Sequence, residues 1–143
     1  MPISSAQQGL VLSSIIDLSE ITALHTSPFV VVPAAVGFIN VFVSASISYS
    51  FDTTVLSGVN QNIGFYLDTG SGLQLISNLF PVEGFLGVDY SNAISLSSAV
   101  PYPSIMSSSS NKPIVLAMDT SNPTGGGTNT RLLVRTTYSV FNL

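Results

Sequence analysis

Cysteine and tryptophan are absent from the 143-residue chain, which carries a single histidine and only three lysine and arginine residues. Each absence excludes a class of chemistry. Without cysteine there is no disulfide, no thiolate metal ligand and no thiol nucleophile, and redox chemistry does not reveal the compartment. A lone histidine, His25, excludes a multi-histidine zinc site. Three cations cannot follow a phosphate track, because each phosphate contact that adds affinity uses about one cation, so nucleic acid is excluded as a partner. Charge of either sign is scarce: charged residues make up 7% of the chain, against about a quarter in ordinary soluble domains. Ser, Thr, Asn and Gly fill the shortfall. A neutral polar surface on a chain of net charge −4 solvates weakly and repels its neighbours little. Much of it is therefore expected to be covered by other protein, as in an obligate assembly subunit.

What is present fits one domain with a real core, since the chain is 45% hydrophobic. The first residues, Met1 to Gln8, have neither the basic segment nor the apolar run of a secretion signal, and none is expected. Thr26 to Phe51 is uncharged over 26 residues and long enough for a membrane span. Pro33, Asn40 and several serines interrupt it, and its second half alternates, so no membrane span is expected either.

That alternation is the strongest structural signal. From Ile39 to Phe51 the odd positions are apolar and the even positions, apart from Phe42, are small and polar, the period-2 pattern of a strand with one buried face. Leu132 to Val140 repeats it, with Leu132, Val134, Thr136, Tyr138 and Val140 on one face. These long strands are expected to bury Val41, Val43, Ile47, Tyr49, Val134 and Tyr138. Shorter β-branched runs at 28–32, 63–67, 73–76, 93–96 and 114–118 are bounded by turn residues such as Asp68-Thr69-Gly70-Ser71-Gly72 and Asn122-Pro123-Thr124-Gly125-Gly126-Gly127. The sum is an all-β chain, an antiparallel β-sandwich with about seven or eight strands. One short helix is expected over Asp17 to Leu24, opened by a capping box between Asp17 and Glu20. Residues 1–13 show no periodicity and read as an N-terminal arm, with 14–143 as the sandwich domain. The arm's apolar residues Ile3, Leu10, Val11 and Leu12 are candidate subunit contacts. Residues 102–110 read as a long loop.

No constellation points to catalysis. Asp52, Asp68, Glu83 and Asp89 are scattered singly at turns, where aspartate serves turn geometry, rather than paired across a scissile bond. No Gly-x-Ser-x-Gly elbow accompanies His25, which is expected to cap the carboxyl end of the short helix. Neither Asp68-Thr69-Gly70-Ser71-Gly72 nor Asp119-Thr120-Ser121-Asn122 has the carboxylates of a calcium loop. Gly125-Gly126-Gly127 lacks the lysine of a phosphate loop and is expected to make a hairpin. No metal or cofactor is expected, and no enzyme activity. Arg131 and Arg135 fall on one face of the last strand, roughly 13 Å apart by strand rise. They read either as solvated charges or as anchors between subunits.

Asn111-Lys112-Pro113-Ile114-Val115-Leu116-Ala117-Met118, the Asn122-Pro123-Thr124-Gly125-Gly126-Gly127-Thr128 turn and Arg131 to Tyr138 together resemble the closing hairpin of small tailed-bacteriophage virion proteins. The opening Glu20 to Ala34, helix then strand, is similar to the start of those proteins. Gly127 departs from the pattern, which often has an acid there. The resemblance implies a jelly-roll or related sandwich that decorates or cements phage heads, or forms fibre and spike parts, commonly as a trimer. The expectation is thus a virion structural protein at the capsid surface, a cement or decoration protein whose partners are the major capsid protein or other virion proteins and further copies of itself. The alternative is a fibre or receptor-binding module for host-surface carbohydrate, using Asp89, Tyr90 and Tyr102. The absence of tryptophan leaves such a module a poorer stacking platform.

Overall fold

The computed structural model describes residues 7–99 and 111–142. Among these residues helix is confined to two short turns, α1 (Leu18–Ile21) and α2 (Glu83–Leu86). The strands are β1 (Gln7–Asp17), β2 (Phe29–Val32), β3 (Phe38–Ser50), β4 (Leu56–Ser57), β5 (Asn62–Asp68), β6 (Leu73–Leu75), β7 (Phe80–Pro81), β8 (Asn92–Ser97), β9 (Ile114–Met118), β10 (Thr124–Gly125) and β11 (Arg131–Asn142). They form one sheet in the order β1-β11-β3-β8 and a second in the order β2-β9-β5-β6, with β7 also on β5 and a small β4-β10 ribbon. Every pairing is antiparallel. The all-β sandwich expected from the period-2 runs is therefore present. Among the described residues no helix is long and apolar enough to cross a membrane, and the uncharged stretch 26–51 is spent on β2 and β3.

The pairings have a simple order. β1 pairs with β11, β2 with β9, β3 with β8 and β5 with β6. First pairs with last, second with next to last, as if one long hairpin of four strand pairs had been rolled up so that alternate pairs fall into opposite sheets. The inner faces meet in a core that includes Ile16, Ile47, Tyr49, Phe65, Leu116, Leu132 and Val134. Phe42 of the first sheet stacks on Phe65 of the second at 4.8 Å between ring centroids. Such aromatic contacts stabilise beyond the area that they bury.

The face assignment along β3 holds only from Ala45 onward. Thr137 of β11 pairs with Ser44 but Tyr138 pairs with Phe42, so Val43 is an extra residue in the ladder. A β-bulge of this kind shifts the alternation by one. Phe42 is consequently buried at 1% exposure, and Val43, expected inside, is 43% exposed. Val41 and Tyr138 are half-buried against the core, whereas Ile47, Tyr49 and Val134 are fully buried as expected.

The N-terminal segment also differs from its reading. Residues 7–13 are not an arm but most of β1, and Leu10 to Asp17 pair in unbroken register with Tyr138 to Arg131. Leu10, Leu12, Ser14 and Ile16 turn inward while Val11, Ser13 and Ile15 are exposed. Apolar residues on both faces hide the alternation. Deleting residues 1–13 would thus strip an edge strand rather than a separable tail. It follows that β11 lies between β1 and β3, inside the sheet.

The capping box is present as expected: Asp17 Oδ1 accepts from the Glu20 amide at 3.0 Å, and Glu20 Oε1 accepts from the Asp17 amide at 3.1 Å. Hydrogen bonds from Ser19 and Glu20 to the ionised carboxylate hold Asp17 below its ordinary pKa. The glycine run does not make a hairpin of its own. Thr124 and Gly125 pair with Ser57 and Leu56, and the chain then turns at Gly127, whose carbonyl accepts from the Thr130 amide at 3.0 Å. A Cβ on Gly127 would collide with the backbone carbonyl of Asp52 and lie 2.7 Å from Thr53 Oγ1. Backbone cannot yield as a side-chain tip can, so an acid has no room at this position. Gly127→Ala is expected to destabilise the fold by about 1–3 kcal/mol, measured as a shift of the urea midpoint at unchanged m-value.

Candidate interaction face

The outer face of the β1-β11-β3-β8 sheet is built by alternation. Arg131, Leu133, Arg135 and Thr137 project from β11 between the buried Leu132, Val134 and Thr136. The register sets Ser50 and Asp17 on either side of Arg131, and Ser46 and Ser13 on either side of Arg135. Ser44 and Ser46 in turn pair with Ser97 and Ser95 of β8. A shallow groove of about 530 Å³ runs over these hydroxyls, with Val11 and Arg135 on its walls. Its lining is neutral apart from the one guanidinium.

The two arginines are not equivalent. Arg131 Nε donates to the Asn129 carbonyl at 3.3 Å, and Asp17 is its register partner. Arg135 is exposed and makes no hydrogen bond or ion pair with any described residue. In open water such a group contributes little to stability, about 1 kcal/mol or less. Its chemical capacity is to bind a carboxylate or carbonyl brought to the groove by another molecule.

The remaining sequence candidates divide. Val11 is 57% exposed on the groove side. Leu10 and Leu12 face the other way and line a second, apolar cleft of about 440 Å³ with Val32, Phe38 and Tyr138 at one end of the sandwich. Ile3, Tyr102 and the loop at 102–110 lie outside the described residues. Asp68 accepts from the Gly70 amide at 2.9 Å and Asp52 from the Asn129 amide at 2.9 Å, so both serve local turn and loop geometry.

Sequence reasoning missed one cluster, because its members come from distant parts of the chain. His25, Tyr66, Leu73, Met118 and Asp119 surround a cavity of about 250 Å³. His25 does not cap α1 as expected. Its Nδ1 lies 2.9 Å from the Met118 carbonyl, and its backbone amide donates to Asn122 Oδ1 at 2.8 Å. A carbonyl can only accept, so Nδ1 carries the proton and Nε2 is left as the free ring nitrogen in the neutral form. Burial pushes the Tyr66 phenol above its ordinary pKa, and the charge of Asp119 adds to this. Burial also pushes Asp119 up, but hydrogen bonds from the Asn62 amide at 2.8 Å and Nδ2 at 3.0 Å outweigh it and leave the carboxyl below its ordinary value.

Because the folded Asp119 carboxyl titrates below its unfolded counterpart at about 3.9, its contribution to stability is complete above that pH and disappears as pH falls through the folded pKa. Asp119→Asn should therefore lower the melting temperature at neutral pH and converge with the parent chain as pH falls from neutral to well below about 3.9. A constant difference across that range would contradict the assignment.

Among the described residues no group of three or more His, Asp or Glu side chains could hold a metal ion. Comparison with family models, with curated proteins and with solved structures finds no match.

Proposed function

We propose that this chain is a virion structural protein, a cement or decoration subunit that stabilises a capsid by binding neighbouring capsid subunits. The observation that carries the reading is the strand order. Two antiparallel sheets whose eight main strands pair first with last and second with next to last support a jelly roll, a winding common in viral capsid domains. A winding alone does not specify a function. The second support is the surface: with 7% charged residues, the groove face offers serine hydroxyls, exposed aliphatic side chains and one guanidinium without a partner among the described residues, in place of a solvating charge layer. A face of that composition suits burial under a protein neighbour.

The test is co-sedimentation of the purified chain with capsid shells that lack it. Saturable binding, with shells that then resist heating, is the expected result. Failure to bind shells, together with binding to host-surface polysaccharide, would favour the receptor-binding alternative for which Asp89 and the 56%-exposed Tyr90 are available.

A further inference from the structure

The two edges of the β1-β11-β3-β8 sheet are finished differently. At β8 the edge is plugged at its Ser97 end. Ser97 donates its amide to Asn78 Oδ1 at 2.8 Å, its carbonyl accepts from the Asn78 amide at 3.1 Å, and Ser77 bridges Ser98 beyond it. At β1, nothing among the described residues pairs with the side facing away from β11. This bare edge runs over 11 residues. It contains no proline, lysine or arginine, and its only ionisable side chain, Asp17, sits at the last position inside the capping box. Proteins ordinarily blunt a long edge with charge, proline or cover, because its free amides and carbonyls template another strand. On the same strand Val11 and Ile15 stand 57% and 63% exposed on the outer face, with Ser13 between them.

We infer that the β1 edge is a self-association surface, on which β1 of a second copy adds antiparallel about a two-fold axis through Ser13. The pattern of the strand selects this occupant. Pairing centred on Ser13 sets Val11 of each copy opposite Ile15 of the other, so two aliphatic cross-strand pairs form, one on either side of the Ser13 pair. It also sends the two Asp17 carboxylates to opposite ends, each towards Gly9, which has no side chain to oppose it. Two chains of net charge −4 thus meet where no like charges face each other. Head-to-tail addition of β1 to β8 is obstructed by Asn78. An isologous contact of this kind closes at two copies, in place of the trimer that the phage resemblance implies. The inference does not rest on the virion reading and can hold or fail without it.

The chain has no cysteine, so a single introduced thiol reports the register cleanly. Directly opposed Cβ atoms in an antiparallel pair lie about 4.5–5.5 Å apart, close to disulfide reach. Ser13→Cys is expected to give a covalent dimer under oxidation. Ile15→Cys, which would face Val11, is expected to stay uncross-linked. By light scattering the parent chain should have twice its 15.0 kDa mass, and Val11→Lys combined with Ile15→Lys should halve that mass with little change in melting temperature. A monomeric or three-copy mass for the parent chain would overturn the inference. So would a two-copy mass in which Ser13→Cys cross-links no better than Ile15→Cys, since the copies would then meet elsewhere.

Discussion

Phe42→Ala lowers the free energy of unfolding by about 3–5 kcal/mol, whereas Val43→Ala, one residue along, changes it by no more than about 0.5 kcal/mol. The contrast follows from the bulge. Phe42 is fully buried and stacks on Phe65 across the two sheets, and truncating it leaves a cavity between layers that strands on both sides keep from collapsing. Val43 is the unpaired residue of the ladder and points to solvent. Chemical denaturation of the two variants measures both values. Equal losses would mean that β3 runs in regular register through this point and that the face assignment above is wrong.

Arg135→Glu is expected to weaken capsid binding by about thirty-fold or more while leaving the melting temperature of the free chain nearly unchanged. The guanidinium has no partner among the described residues, so none of their contacts depends on it. If the groove face is covered, the arginine meets a partner's carboxylate or carbonyl out of water, and removing one member of such a pair costs about 2–5 kcal/mol. At about 1.4 kcal/mol per factor of ten, the lower bound gives the thirty-fold figure. Arg131→Glu should have the smaller effect on binding, because Asn129 and the neighbouring Asp17 already occupy that side chain's surroundings. Equal and small effects at both positions would return both residues to solvent.

What the sequence made legible was local. The capping box needs only Asp17 and Glu20 three residues apart, and both of its hydrogen bonds form. The second half of β3 and the alternation of β11 through Thr136 follow from period 2, because a slip by one residue would expose the whole apolar set. Phe42, the one large residue among small polar ones, was the visible sign of the bulge, but only the pairing with β11 shows where the extra residue sits. β1 escaped because Val11 and Ile15 on its outer face mask the inward set of Leu10, Leu12 and Ile16. The central place of β11 is a matter of sheet order, which depends on strands from opposite ends of the chain. For the same reason no local pattern brought His25, Tyr66 and Asp119 to one cavity.

The assignment to a virion is tested most directly by the protein composition of purified particles. If the proposed role holds, quantitative mass spectrometry of gradient-purified particles of the proposed source phage should find the chain in a fixed stoichiometric ratio to the major capsid protein, retained after washing at high salt. Its absence from purified virions, with abundant chain in the infected-cell lysate, would contradict the account.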